Sequence, residues 1–147
     1  MEEHDYEKLK LENQLCFPLY AASKEIVKRY RPYLEELNLT YTQYITMMVL
    51  WANKQLNVKE LGEKLYLDSG TLTPVLKSLE AKGYVRRTRS SRDERVLLVE
   101  VTEEGLALRD KACCVPDQIA CSVRLDAQET MTLYGLLYKL LAGMEDE

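Results

Sequence analysis

Residues 56–65 and the turn after them restrict the possible folds of this chain more than any other stretch. Leu56, Val58, Leu61 and Leu65 have the spacing of one buried helix face, and Asn57 is a suitable cap for that helix. The turn at 66–70, Tyr-Leu-Asp-Ser-Gly, contains residues typical of a sharp change of direction. The sequence therefore predicts a short helix followed by a tight turn.

A second helix follows this turn. Leu72, Leu76 and Leu79 are spaced i, i+4 and i+7, as on a buried helix face, and Gly83 is placed to end the helix. Pro74 marks a first turn, which leaves the helix start open between Thr71 and Thr73. The opposite face carries short hydroxyl side chains and one cation, namely Ser69, Thr71, Thr73 and Lys77.

Two strands joined by a polar tip complete the unit. Residues 84–89 and 96–101 predict the strands, and residues 90–95 form the tip between them. This order of elements is that of a winged helix-turn-helix. A narrow helix with short polar side chains fits the major groove of DNA, and a basic ribbon can reach the neighbouring minor groove.

The charge distribution agrees with a nucleic-acid partner. The whole chain has a net charge of −4, which by itself argues weakly against one. Residues 54–95, however, hold ten Lys and Arg against six Asp and Glu, a balance of +4, while the remainder carries −8. Because salt screens charges beyond about 8–10 Å, the local balance matters more than the total.

The segments before the winged unit predict two helices. The first runs from about residue 7 to Arg31, where Pro18 would kink or restart it and Pro32 closes it. The second runs from 41 to about 53 with Thr40 as its cap. Its predicted buried side consists of Tyr44, Ile45, Met48, Val49 and either Trp51 or Ala52.

The segments after it also predict helices. Thr102 caps one that reaches about Cys114, and Asp126 with Glu129 forms a capping box for the last. The terminal helices carry more apolar surface than a small winged unit can cover. We therefore expect a homodimer whose two recognition helices, ~34 Å apart, read a pseudo-palindromic operator. The alternative is that these helices fold back on their own core.

The predicted fold is mainly α-helical with a small β-wing, in a single domain. The winged helix-turn-helix unit occupies about 41–101, and dimerisation helices occupy about 7–37 and 103–147. No apolar run approaches the ~20 residues that span a bilayer, and the acidic N-terminus is unlike a signal peptide, so we expect a cytoplasmic protein without a membrane partner.

The cysteines do not have the spacing of a metal site. Cys16, Cys113, Cys114 and Cys121 form no Cys-x-x-Cys pair, and His4 is the one histidine. We expect no metal and no cofactor. A cytoplasmic protein does not usually need structural disulfides, and a cysteine on an apolar helix face is most often an inert core residue.

Four separated segments resemble one protein family. Residues 66–74, Tyr-Leu-Asp-Ser-Gly-Thr-Leu-Thr-Pro, resemble the recognition segment of MarR-type transcriptional regulators, in particular the organic-hydroperoxide-sensing OhrR branch. Residues 15–21, Leu-Cys-Phe-Pro-Leu-Tyr-Ala, are similar to the sensing motif of that branch. Residues 39–44 and the Asp-Glu-Arg at 93–95 also resemble segments of the OhrR branch.

The resemblance implies DNA-binding roles. Arg95 would enter the minor groove, where a narrow groove attracts an arginine, and Asp93 would position it. Contacts to bases or phosphates are implied for Ser69, Thr71, Thr73 and Lys77, and contacts to phosphates for Arg86, Arg87, Arg89 and Arg92. The alternatives are a solvated helix face and an ordinary Arg–Asp pair at a turn.

The resemblance also implies a peroxide-reactive thiol at Cys16. Tyr30 and Tyr41 would hydrogen-bond it across the dimer interface, and Tyr20 would line the same region. Phenolic hydroxyls can stabilise a thiolate, the form that attacks a peroxide. Cys121 matches the resolving position, which implies an intersubunit Cys16–Cys121 disulfide, with a small-molecule thiol as the alternative. Cys113 and Cys114 match no known position, and core packing is their simplest explanation.

The function implied is a dimeric regulator, a repressor by family expectation and not an enzyme. It would release its operator when an organic hydroperoxide oxidises Cys16. A MarR-type regulator released by a non-covalent lipophilic or phenolic ligand, with Cys16 structural, is the alternative. Two further hypotheses are a thiol peroxidase that uses Cys16 and Cys121, and a purely structural or protein-binding winged-helix module.

Overall fold

The computed structural model describes residues 4–145 and divides the chain into two compact units, Met1–Val115 and Pro116–Glu147. The described part contains seven α-helices and three strands. In chain order they are α1 Cys16–Glu35, α2 Tyr41–Asn53, β1 Gln55–Asn57, α3 Val58–Leu65, α4 Ser69–Ala81, β2 Val85–Arg89, β3 Leu97–Val101, α5 Glu103–Ala112, α6 Val115–Ala120 and α7 Ala127–Met144.

The winged helix-turn-helix is confirmed, because α3 and α4 are joined by a tight turn and β2 and β3 form a hairpin. The Asn57 side chain accepts from the Glu60 amide and caps α3 as predicted. Helix α4 begins earlier than predicted, at Ser69, because Asp68 caps it. Pro74 is therefore the sixth residue of α4 and removes only a bond to the exposed carbonyl of Gly70.

The turn between α3 and α4 depends on a close backbone approach. Tyr66 ends α3 in the left-handed region, with φ of 55°, and the Leu67 amide then donates to the Gly62 carbonyl at 3.0 Å. A Cβ atom at Gly62 would lie 2.7 Å from the Leu67 carbonyl oxygen, closer than real Cβ contacts allow. The turn thus requires a glycine inside the preceding helix as well as turn residues after it.

The sheet has a third strand that the sequence did not predict. Its order is β1-β3-β2, all antiparallel, with Leu56 opposite Val99 in the β1–β3 pair. The prediction that Leu56 belongs to the α3 face is wrong, because Leu56 lies in β1 and α3 begins at Val58. A strand of three residues is too short to show a period of its own.

Helix α2 lies at the centre of the first unit. Tyr44, Met47 and Leu50 are buried, together with the polar Gln43 and Thr46. The prediction is confirmed for Tyr44 and wrong for Met48, which is 44 % exposed, while Ile45, Val49 and Trp51 are half-buried. Thr46 fits the buried side because its hydroxyl donates to the Thr42 carbonyl at 2.8 Å, which satisfies its polar group within the helix.

Helix α1 begins and ends later than predicted. Residues 6–13 form two short 3₁₀ turns instead of a helix from residue 7, because none of them is buried and side chains such as Gln14 bond the local carbonyls. Pro18 falls in the first turn of α1, where a proline is tolerated, and the helix continues through Pro32 to Glu35. Leu34, only 2 % exposed, anchors this last turn in the core.

The remaining helices follow the predicted caps. Thr102 accepts from the Gly105 amide and starts α5, while Asp126 and Glu129 form the capping box of α7. Helix α5 ends at Ala112, and Val115 begins the separate α6. Helix α7 has 18 residues, none of them buried within the chain. None of the helices between residues 4 and 145 has the length and apolarity needed to cross a membrane.

We expect Gly62→Ala to lower the free energy of unfolding by about 1–3 kcal/mol, because the new methyl group must displace the Leu67 carbonyl. The matched control is Gly143→Ala, where an added Cβ meets nothing within 4 Å. Urea unfolding at equal protein concentration measures both. Equal stability of the Gly62→Ala variant and the wild-type chain would contradict the packing described for this turn.

Candidate DNA interface and thiol site

The outer side of α4 presents small polar side chains. Ser69, Thr71 and Lys77 are exposed, whereas the leucines on the inner side are buried. Thr73 is half-buried, and its hydroxyl donates to the Ser69 carbonyl at 2.6 Å. Three of the four predicted contact residues are thus free to face a groove, and the fourth tightens the first turn of the helix.

Asp68 fixes the start of α4. Its carboxylate accepts a hydrogen bond from the Thr71 amide at 2.7 Å, and this bond holds the pKa of Asp68 below its ordinary value. An ionised carboxylate at this position also interacts favourably with the positive end of the helix dipole. The first turn of α4 is therefore held in a defined orientation.

The wing tip orients one exposed arginine. The Ser90 amide donates to the Val96 carbonyl at 2.8 Å and closes the hairpin. The Asp93 carboxylate accepts from the Arg95 amide at 3.0 Å, and the Arg95 Nε lies 3.9 Å from the same oxygen. The Arg95 side chain is 94 % exposed. Asp93 thus orders the backbone at the tip while the guanidinium extends into solvent.

The arginines of the wing fall into two groups. Arg86, Arg89 and Arg92 are exposed. Arg87 is half-buried, and its amide, Nε and guanidinium donate to the Glu80 carboxylate at 3.0, 3.3 and 3.0 Å. These bonds, led by those of the Arg87 side chain, lower the pKa of Glu80. Arg87 therefore ties β2 to α4, and its predicted contact with a phosphate stays a prediction.

Three tyrosines form a cluster where α1 meets α2. The ring centroids of Tyr30 and Tyr41 are 5.0 Å apart, and Tyr44 lies 5.7 Å from Tyr30 and 6.3 Å from Tyr41. Burial raises the pKa of Tyr30 and of Tyr41, and raises that of Tyr44 to about 12. The three phenols are therefore neutral hydrogen-bonding groups at physiological pH.

Cys16 is the first residue of α1, and its thiol is exposed. Tyr30 follows it by 14 residues in the same helix, which at 1.5 Å per residue separates them by ~21 Å along the axis. Within one chain, therefore, the structure does not bring Cys16 to the tyrosine cluster. Tyr20 is one turn from Cys16, is 60 % exposed, and has the Lys24 ammonium 5.1 Å from its ring centre.

The other three thiols are exposed as well. Cys121 follows α6 in the second unit, so its predicted pairing with Cys16 stays a prediction. Core packing is the wrong explanation for Cys113 and Cys114, because they lie at the exposed junction after α5, where the Cys114 Sγ donates to the Lys111 carbonyl at 3.7 Å.

The sequence did not reveal a polar connection between α2 and α4. The Gln43 Nε2 donates to the Ser78 Oγ at 2.9 Å, and the Lys82 Nζ donates to the Gln43 Oε1 at 2.9 Å and to the Asn38 carbonyl at 2.6 Å. The Thr40-x-x-Gln43 pattern is a readable capping-box signature. It carries no information on contacts to a helix 35 residues away.

Comparison with known proteins identifies relatives over the whole chain. Residues 28–111 match the family model described as transcriptional regulator SarA/Rot. The chain is 47 % identical over 145 residues to the organic hydroperoxide resistance transcriptional regulator of Bacillus subtilis. The aligned region covers 99 % of each of the two chains.

Crystal structures of AbfR of Staphylococcus epidermidis resemble this chain in fold. Reduced AbfR bound to DNA has a TM-score of 0.76 and 33 % identity, and covers 94 % of this chain and 96 % of its own. Overoxidized AbfR bound to DNA also has a TM-score of 0.76, with 32 % identity and coverage of 94 % and 97 %. Disulfide-formed AbfR has a TM-score of 0.63 at 31 % identity and covers 96 % of each chain.

We expect the stability of the chain to fall as the pH rises from 10 to about 12, in part through Tyr44. Its raised pKa means that the folded state favours the neutral phenol, so this contribution is complete below pH 10 and is lost as the pH passes the folded-state pKa. Comparing urea unfolding of wild type and Tyr44→Phe across this range isolates the contribution. Parallel profiles for the two proteins would refute it.

Proposed function

The chain belongs to the MarR family of winged helix-turn-helix transcriptional regulators, in the branch of the organic hydroperoxide resistance regulators, and from this premise we propose how it works. It binds operator DNA as a homodimer in the cytoplasm and acts as a repressor. It releases the operator when an organic hydroperoxide oxidises Cys16. The observation that carries this proposal is the exposed polar face of α4 together with the exposed Arg95 of the wing, in a chain 47 % identical to an organic hydroperoxide resistance regulator.

DNA binding rests on the face of α4 and on the wing. In the proposed complex, Ser69, Thr71 and Lys77 enter the major groove, and Arg95 enters the adjacent minor groove. The exposed Arg86, Arg89 and Arg92 contact phosphates, which contribute affinity but little sequence discrimination. Because Arg87 is bound by Glu80, its main contribution is to hold the wing against α4.

Dimerisation is supported by apolar surface that the chain leaves exposed. On α1, Phe17, Tyr20 and Ile26 are between 42 % and 60 % exposed. On α7, Met131, Tyr134 and Leu136 are between 57 % and 72 % exposed. Several large apolar side chains exposed on one helix favour an interaction site. We assign the segments at about 7–37 and 103–147 to contacts with a second copy.

A dimer with a two-fold axis could bring Cys16 of one protomer to the tyrosines of the other. In an isologous dimer, if the N-terminal end of one α1 contacts the cluster of the other protomer, the reciprocal contact forms as well. Each Cys16 thiol would then lie against Tyr30 and Tyr41 of the partner subunit, with its own Tyr20 nearby. The neutral phenols can donate hydrogen bonds that favour the reactive thiolate.

The proposed chemistry has two steps. The Cys16 thiolate attacks the terminal hydroxyl oxygen of the hydroperoxide, and the O–O bond breaks. The products are a Cys16 sulfenic acid and an alkoxide, which takes a proton from solvent to become the alcohol. The Cys121 thiol of the other protomer then displaces water from the sulfenic acid and forms the disulfide. We propose one such oxidation per release event, as signalling and not as enzymatic turnover.

We assign the release step to the disulfide and not to oxidation of the thiol alone. Overoxidized AbfR is bound to DNA, and this chain is as similar to it as to reduced DNA-bound AbfR, with a TM-score of 0.76 for both. Disulfide-formed AbfR is less similar at nearly the same identity, with a TM-score of 0.63. A disulfide requires Cα atoms within about 7 Å of each other, so it constrains the backbone in a way that added oxygen does not.

We expect Arg95→Ala to weaken binding to a selected operator by about 1–3 kcal/mol and to relax its sequence preference, because Arg95 is assigned to the minor groove. Arg86→Ala should weaken binding to all duplexes alike and reduce the slope of log affinity against log salt by about 0.9. Fluorescence anisotropy, with an operator selected from random duplexes and a shuffled duplex, measures both.

The exposed Arg109 on α5 offers a matched control, since Arg109→Ala removes the same charge away from the wing. If Arg95→Ala and Arg109→Ala have the same small effect on the selected operator, the assignment of Arg95 to the minor groove is wrong.

We expect cumene hydroperoxide to release the wild-type protein from its operator and to leave Cys16→Ser bound. In Cys121→Ser the intersubunit disulfide should be absent from intact-mass spectra, and release should then need an added small-molecule thiol. Cys113→Ser, which changes another exposed thiol, should behave as wild type. Release of Cys16→Ser as readily as wild type would favour a non-covalent ligand site instead. Continued peroxide consumption with a thiol reductant would indicate a peroxidase.

A further inference from the structure

Hydrogen bonds connect the first turn of α2, which contains two residues of the tyrosine cluster, to the C-terminal end of α4. Tyr41 and Tyr44 flank Gln43 in the first turn of α2. The Gln43 Nε2 donates to the Ser78 Oγ at 2.9 Å, and Ser78 lies in the C-terminal half of α4. Lys82, the residue that follows α4, makes a second connection. Its Nζ donates to the Gln43 Oε1 and to the carbonyl of Asn38, which lies between α1 and α2.

Every polar atom of the Gln43 amide is used in this arrangement. Its Oε1 accepts from the Thr40 amide at 3.1 Å and from Lys82 at 2.9 Å, while its Nε2 donates to Ser78. The residue is only 6 % exposed. An amide that is buried without hydrogen-bond partners costs the full desolvation free energy of the group. Conformations in which only some of these hydrogen bonds are formed are therefore disfavoured.

We propose that Gln43 is the positioning residue through which oxidation at Cys16 reaches α4; this inference rests on the proposed function. The partner's Cys16 would act on Tyr30 and Tyr41, and Tyr41 begins the helix turn that contains Gln43. A displacement of that turn moves the Gln43 amide relative to Ser78. The bond then either pulls the end of α4 with it or breaks, and both outcomes change the orientation of the recognition helix.

The directionality of the bonds makes this connection sensitive to small movements. Hydrogen bonds weaken steeply when donor and acceptor are misaligned, whereas apolar side chains of neighbouring helices can slide with little loss of contact. Lys82 extends the connection to the turn after α1, since Asn38 lies three residues past Glu35, the last residue of that helix. Helix α2 and the turn that joins it to α1 are therefore tied to one end of α4.

The test compares the affinity for a selected operator before and after oxidation with cumene hydroperoxide. The variants are Ser78→Ala, which removes the acceptor on α4 and leaves the α2 cap intact, Gln43→Met, and the double variant. Gln55→Met is the matched control for Gln43→Met, because Gln55 is exposed in β1 and has no part in the connection. Intact-mass spectra establish that Cys16 is oxidised to the same extent in every protein.

We expect the ratio of oxidised to reduced dissociation constants to fall about two- to tenfold in Ser78→Ala and in Gln43→Met, the range of one hydrogen bond. The double variant should fall no further than the larger single effect, since both substitutions remove the same bond. Urea unfolding verifies that each variant is folded, and Ser78→Ala alone decides the test if Gln43→Met is not.

Two negative results are distinguishable. A wild-type response to oxidation that Ser78→Ala retains in full, at equal oxidation of Cys16, overturns the role of Gln43 and leaves the proposed function standing. If the oxidised and reduced forms of wild type have identical affinities, and those of Gln55→Met do as well, the proposed function is overturned, and the role of Gln43 with it.

Discussion

The rigid rise of a single α-helix imposes the main constraint on this protein. Helix α1 carries Cys16 at its start and Tyr30 in its second half, and a helix of this length holds them ~21 Å apart whatever its surroundings. A thiol that depends on those phenols must obtain them from another chain. In the proposed dimer, the exposed apolar surface of α1 and α7 would then have a chemical role as well as a structural one, because assembly would complete the reactive site.

Local sequence signals such as helix caps predicted most of the fold. The places where the structure departs from the prediction depend on tertiary contacts. The caps at Thr40, Asn57 and Asp126 were predictable, because each is a hydrogen bond between residues three apart. The start of α1 was not, since an apolar period over residues 7–15 has no surface to pack against in the chain. Pro32 illustrates the reverse case, in which burial of Leu34 maintains a helix that local rules would end.

The candidate site also has residues that the sequence could predict and residues that depend on tertiary contacts. The outer residues of α4 and the exposed arginines of the wing follow from periodicity and charge, which a sequence displays directly. The partner of Arg87 does not, because Glu80 belongs to another element and only the fold brings the two together. Gln43 is intermediate: its cap is visible in the sequence, while its bond to Ser78 depends on how α2 crosses α4.

A redox switch must change the free-energy difference between two conformations. Oxidation of a thiol to a sulfur oxyacid and oxidation to a disulfide change that difference in different ways. An added oxygen on sulfur changes polarity at one point and does not restrain the distance between two backbone segments. A disulfide fixes the distance between two backbone segments and so excludes every conformation in which they lie apart. Directional bonds such as that between Gln43 and Ser78 can convert such a backbone constraint into a new orientation of α4, because they do not stretch to absorb it.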